Sequence, residues 1–115
     1  MKFFVVVRTA PAYVPYHSYV ASTLKSLVNK GHGLTAVFFT DGGASLASAM
    51  HAAGTNAKNI QDMYLALKSG EMPFLCCGQA FRALGLAEED LHEKFALSGN
   101  LELTQYFCAY KTLEF

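Results

Sequence analysis

The chain of 115 residues carries nine Lys and Arg against nine Asp and Glu, a formal net charge of zero. The basic residues are scattered, with no basic run and no aromatic–basic motif, which argues against direct nucleic-acid binding by this chain, and no apolar run approaches the roughly 18 residues of a membrane-spanning helix. Charged residues make up 16% of the chain against about 25% in ordinary soluble domains, a shortage that points to a buried subunit interface, and the length suits one domain over residues 1–115.

Lys2 to Val7 is apolar after its first residue, as a central parallel strand is. Arg8 stops this run short of the roughly 7–15 residues of a secretory h-region, so it reads as a buried strand. With three cysteines, an odd number, and no export signal, the expectation is a cytoplasmic protein with free thiols. Thr9 to Tyr16 reads as a loop containing Pro11 and Pro15. A helix follows with Val20, Leu24, Leu27 and Val28 on one face and Gly31 as its stop. Leu34 to Thr40 is the second strand, and Asp41-Gly42-Gly43 turns out of it.

Ser45 to Ala53 is expected to be a short alanine-rich helix. Asn56 is placed to cap the next one, in which Ile60, Met63, Tyr64 and Leu67 recur at helical spacing and which Ser69-Gly70 ends. Pro73 to Cys77 reads as a short buried strand that hands over directly to a short helix, Gly78 to Leu84, closed by Gly85. An acidic helical turn over Glu88–His92 and a fourth strand at Phe95-Ala96-Leu97 come next. Leu101 to Tyr106 reads as helix, and Cys108 to Phe115 as the final strand. Strands alternating with helices at this spacing imply an α/β domain: a parallel sheet of about five strands with helices on both faces. In such sheets chemistry gathers at the carboxyl ends of the strands. The loops Thr9–Tyr16, Asp41–Ala44 and Cys76–Gly78 should therefore meet, which makes Tyr13, Tyr16 and Asp41 candidates to line a pocket.

Cys77 sits at the strand–helix junction. A thiol there faces the unpaired N–H groups and the positive dipole end of the helix, which favour the thiolate, the form that attacks sulfur. The amides of Gly78 and Gln79 are the groups placed to hold negative charge on it. On the residues alone Cys77 is open to two readings, a reactive thiol or a small core residue. Alternation along the strand sends Cys76 to the opposite face, into the helix layer. A disulfide between these neighbours would be strained, and Cys108 reads as core packing at the start of the last strand.

Other chemistries fit less well. Cys76 and Arg82 have the spacing of the Cys-x5-Arg oxyanion loop of tyrosine phosphatases and rhodanese-like proteins, but Ala83 follows the arginine where phosphatases place Ser or Thr. The four histidines show no pair at metal-ligand spacing, so no metal site is expected. His17 reads as a solvated residue at a helix start, with proximity to Cys77 as the alternative. Asp41 lacks a carboxylate in Arg8-Thr9-Ala10-Pro11 with which to share a metal, and no glycine-rich phosphate loop or dinucleotide fingerprint is present.

Several stretches in order carry a resemblance. Pro11-Ala12-Tyr13 after the first strand, Gly31-His32-x-Leu34 running into Val37-Phe38-Phe39, the Cys77-x7-Gly85 turn, and Phe95-Ala96-Leu97-Ser98-Gly99 before the terminal strand together resemble the DsrE/DsrF-like family across nearly the whole chain. They are most similar to its persulfide-carrying TusD/DsrE branch. The resemblance implies a flavodoxin-like, DsrE-type α/β fold without a cofactor. It also implies assembly with sister C-type and B-type subunits, or with itself, into TusBCD/DsrEFH-type complexes. Cys77 matches the persulfide position. A TusA-like protein would donate its sulfur and a TusE-like protein would accept it, in tRNA 2-thiouridine synthesis or dissimilatory sulfur metabolism. The alternatives are a non-catalytic assembly subunit, in which the cysteine is incidental, and the Cys76/Arg82 loop.

Overall fold

A computed structural model describes residues 1–52, 54–68 and 72–115. Its strands are β1 (Lys2–Val7), β2 (Gly33–Phe39), β3 (Phe74–Cys77), β4 (Phe95–Ser98) and β5 (Lys111–Glu114); its helices are α1 (Val14–Asn29), α2 (Asn56–Leu65), α3 (Gly78–Ala83) and α4 (Asn100–Ala109). The five strands form one sheet in the order β4-β3-β2-β1-β5, and every neighbouring pair is parallel. This is the α/β parallel sheet expected from the alternating pattern, in the flavodoxin-like form that the resemblance implied. No helix among the described residues is long and apolar enough to cross a membrane.

The strand order dictates which face each helix covers. From β1 to β4 the chain steps sideways in one direction, and right-handed crossovers place α1, α2 and α3 on one face. Val20 and Leu24 of α1, Ile60 and Tyr64 of α2, and Phe81 of α3 accordingly pack with Val5, Val7, Val37, Phe39, Phe74, Cys76 and Phe95. The return from β4 at one edge to β5 at the other runs in the opposite sense, so α4 lies on the other face. There Leu103 and Tyr106 cover Phe4, Val6, Ala36, Phe38 and Leu75. Successive strand residues feed alternate faces, which is why β1 is buried from Phe3 to Val7.

The ends of α1 and α3 follow their glycines. Gly31 and Gly85 take φ of 91° and 82°, and each helix closes with the paired bonds of a Schellman motif: His32 N–H to Leu27 O and Gly31 N–H to Val28 O, then Leu86 N–H to Phe81 O and Gly85 N–H to Arg82 O.

Elsewhere the elements depart from the sequence reading. Helix α1 starts at Val14, so Pro15 lies in its first turn, where a missing N–H removes nothing. Val28 is off the buried face, at 45% exposure. The segment after β2 is a 3-10 helix over Asp41–Ala47 that then runs extended, with Ser48 bridged to Leu91, and not an alanine-rich α-helix. Gln61 explains the stop: its amide nitrogen donates to Leu46 O and Ser48 O, 2.7 Å each, and so takes carbonyls that a continuing helix would need. Ala53, the expected end of that helix, and Ser69-Gly70, the expected end of the next, lie outside the described residues. Helix α2 is capped by the Thr55 hydroxyl, which accepts from Lys58 N–H, and not by Asn56. Only Glu88–Asp90 of the acidic turn is helical.

The largest departure is at the C-terminus. Helix α4 continues to Ala109, so Cys108 lies exposed on its last turn and does not open a strand in the core. Tyr, Phe and Cys read locally as strand formers. Here packing overrides that preference: Tyr106 stacks on Phe4 (centroids 4.7 Å apart, planes 12° apart) and Phe107 meets the same ring edge-on at 5.6 Å.

Candidate functional site

Cys77 ends β3 and is the N-cap of α3, with φ −61° and ψ 116°. The backbone turns into the helix without a connecting loop, so the side chain sits against the first helical turn. Its sulfur accepts from Ala80 N–H at 3.5 Å, one of the helix-start donors that has no intrahelical partner. Cys77 is partly accessible and packs toward the α4 side. Gly78, the first residue of α3, is buried, and a Cβ built there would stand 3.2 Å from a terminal nitrogen of the Arg82 guanidinium. The arginine is therefore folded back over the peptide that follows Cys77. Gln79 is exposed beside it.

Cys76 occupies a different environment. It is fully buried in the layer of α1, α2 and α3, and its thiol points at Ala44 O, 3.7 Å away. Burial, with a smaller contribution from Cys77, pushes this thiol up to about 12. It remains a neutral thiol at working pH and has no open face for a phosphate. With Cys76 inside the core and Arg82 over Gly78, the pair does not form an oxyanion loop. The alternation that assigned the two cysteines to opposite faces holds.

The loops at the carboxyl ends of β1 and β2 are joined tightly. An added Cβ at Gly43 would lie 2.6 Å from Val7 O, and one at Gly42 would lie 3.0 Å from Ala10 Cβ. Asp41 is held in the left-handed region at φ 51°, a conformation that Asp tolerates better than most residues. Its carboxylate accepts from Arg8 at 3.0 Å, and Arg8 also reaches Glu114 at 3.3 Å. Tyr13 and Tyr16 line a shallow cleft of about 260 Å³ with Thr9. Tyr13 and Tyr16 thus share one cleft, Asp41 sits in a separate ion-pair cluster, and Gly78 and Gln79 adjoin Cys77. A larger groove of about 490 Å³ between α1 and α2, lined by residues including Lys25, Met63 and Leu67, contains no cysteine.

His17 is not solvated. It is completely buried, with Nε2 3.0 Å from Ala10 O and Nδ1 2.8 Å from the Tyr64 hydroxyl. A carbonyl only accepts, so Nε2 carries the hydrogen and Nδ1 accepts from Tyr64. The pair pins the loop after β1 to α1 and α2. The signal for its burial was present: His17 falls three and seven positions before Val20 and Leu24, on the face they define. Ser98 was also missed. It lies beside Cys77 across the sheet, a neighbour that only strand register reveals.

The DsrE/DsrF-like family model matches residues 1–115. The chain belongs to this family. Among solved structures, the DsrE/DsrF-like chain is similar to the YchN protein from E. coli, with a TM-score of 0.72 and 16% identity over all of both chains. It is also similar to MTH1491, a protein of unknown function from Methanobacterium thermoautotrophicum, with a TM-score of 0.63 and 12% identity over 98% of this chain and 96% of that one. At these identities the likeness is one of fold. A comparison with curated proteins returns no match. The family supports a sulfur-relay type of protein, in agreement with the resemblance seen in the sequence.

Proposed function

We propose that the chain is a sulfur-relay sulfurtransferase subunit whose carrier is Cys77. The observation that supports this most directly is the contrast within the cysteine pair. Cys77 is partly accessible and receives a helix-start N–H on its sulfur, whereas Cys76 is sealed in the core. In the first step the Cys77 thiolate attacks the outer sulfur of a donor persulfide, forming a new S–S bond and expelling the donor as its thiolate. In the second, an acceptor thiolate attacks the outer sulfur now on Cys77, and the electron pair of the broken bond returns to the Cys77 sulfur. Both steps conserve electrons, so no redox cofactor is required.

The donor and acceptor in this reading are TusA-like and TusE-like proteins, and the assembly is cytoplasmic, with C-type and B-type sister subunits or with further copies of the chain. The pathway is tRNA thiolation or dissimilatory sulfur metabolism, with the TusD/DsrE branch as the analogue this reading takes. Mass spectrometry after incubation with a persulfide donor should find an adduct of about 32 Da on the Cys77 peptide that disappears in Cys77→Ser. An adduct residing on Cys76 or Cys108 would refute the assignment.

A second reading, a non-catalytic assembly subunit, is favoured by apolar side chains left open on α4: Leu101 at 76%, Phe107 at 39% and Tyr110 just beyond it at 37% exposure. Sulfur transfer that survives Cys77→Ser in the reconstituted complex would select it.

A further inference from the structure

Ser98 ends β4 directly beside Cys77. The parallel register pairs Cys76 with Leu97 and Cys77 with Ser98. Cys76 and Leu97 both pack into the layer of α1, α2 and α3, so the next pair points to the α4 face. Neighbouring strands are about 4.8 Å apart, which makes the thiol and the hydroxyl lateral neighbours on one face. The Ser98 hydroxyl oxygen is buried and has no hydrogen-bond partner among the described residues. Buried hydroxyls are nearly always paired, because leaving one unpaired forfeits its bond to water. A neutral thiol is a poor acceptor, whereas a thiolate is a strong one. In the structure this hydroxyl makes no hydrogen bond to the Cys77 sulfur, which accepts from Ala80 N–H instead. Rotation about the Ser98 Cα–Cβ bond turns it toward that sulfur, and the anion formed when Cys77 ionises is the acceptor that favours this rotamer. The ten residues of α4 begin just beyond, at Asn100, with Gly99 as N-cap and no side-chain cap, so the positive end of that helix follows Ser98 on the same face.

We propose that the Ser98 hydroxyl donates a hydrogen bond to the sulfur anion of Cys77, both in the free thiolate and as negative charge returns to that sulfur during transfer. The proposal rests on the reading of Cys77 as the sulfur carrier and names a further residue for that step. When the acceptor thiolate takes the outer sulfur, the S–S bond on Cys77 breaks and its electron pair settles on the Cys77 sulfur. Ser98 stabilises that charge and keeps its own proton throughout.

The test compares the full chain with its Ser98→Ala and Ser98→Thr variants, each in a Cys108→Ser background so that Cys77 is the accessible thiol. Alkylation of Cys77 by iodoacetamide at neutral pH, followed by mass spectrometry, should slow about tenfold in Ser98→Ala, the scale of one hydrogen bond to a charged group. It should recover in Ser98→Thr, which keeps the hydroxyl. Release of sulfur from preloaded Cys77 to a small thiol should slow in parallel. The unfolding midpoint of Ser98→Ala should hold or rise, because the substitution removes an unpaired buried hydroxyl. Alkylation at the original rate in Ser98→Ala overturns the proposal. So does a slower rate that comes with a lower unfolding midpoint and is not rescued by Thr, since that pattern is structural damage. If alkylation depends on Ser98 in a chain that never takes up sulfur, the carrier reading fails and the hydrogen bond stands.

Discussion

At the scale of single residues, the same side chain acquires opposite chemistry from one position to the next. Cys76 and Cys77 are adjacent, yet the pleat puts one sulfur in the core and the other at a helix start. That much was legible, because a buried run meeting glycine and a short amphipathic stretch is a local pattern. The position of Ser98 beside Cys77 was not, because it depends on the partner met in the neighbouring strand, and register is a tertiary property. His17 lies between these cases: its place on the buried face could be read, but not the Tyr64 hydroxyl that satisfies it. Glycine 43 offers a test at this scale. Its missing Cβ is what lets the turn after β2 sit against Val7 O, so Gly43→Ala is expected to cost about 1–3 kcal/mol as an overpacking substitution. Chemical denaturation should show this as a lower midpoint with an unchanged slope.

At the scale of elements, the first four strands and the β3–α3 junction were read nearly as they are, since each is a contiguous apolar run with a clear stop. The misread elements have their ends fixed from a distance. The 3-10 helix stops where Gln61, from α2, takes the carbonyls of Leu46 and of its C-cap Ser48. Helix α4 runs to Ala109 over residues that look strand-like, because Leu103 and Tyr106 have a sheet face to cover. Gln61→Ala would leave the carbonyls of Leu46 and Ser48 buried without this donor. We expect a loss of about 1–3 kcal/mol and faster amide exchange across residues 46–48. Gln61→Glu, which keeps the size but has no N–H to donate, should be at least as damaging. An unchanged unfolding midpoint in both variants would show that the Gln61 bonds do not hold this segment.

At the scale of the whole molecule, stability should depend on alkaline pH through groups that ionise only on unfolding. Burial raises the Cys76 thiol from 9.0 to about 12 and raises the Tyr64 phenol. Above about pH 9 the unfolded chain therefore releases protons that the folded chain keeps. Fewer protons are bound in the unfolded state, so the free energy of unfolding falls as pH rises. The thermal midpoint is expected to be level around neutrality and to drop steadily from about pH 9 upward, with a shallower drop in Cys76→Ala once its lower starting midpoint is subtracted. A midpoint that stays flat to pH 11 would contradict this assignment. The all-parallel sheet between the two helix layers also acts as a partition. Two sulfurs joined by a single peptide bond lie in compartments that share no open path, so nothing delivered to one can migrate to the other while the sheet is intact. For an agent arriving from solution the cysteine doublet behaves as a single thiol, so under the proposed relay reading the folded chain holds one sulfur at this junction, although its sequence suggests two.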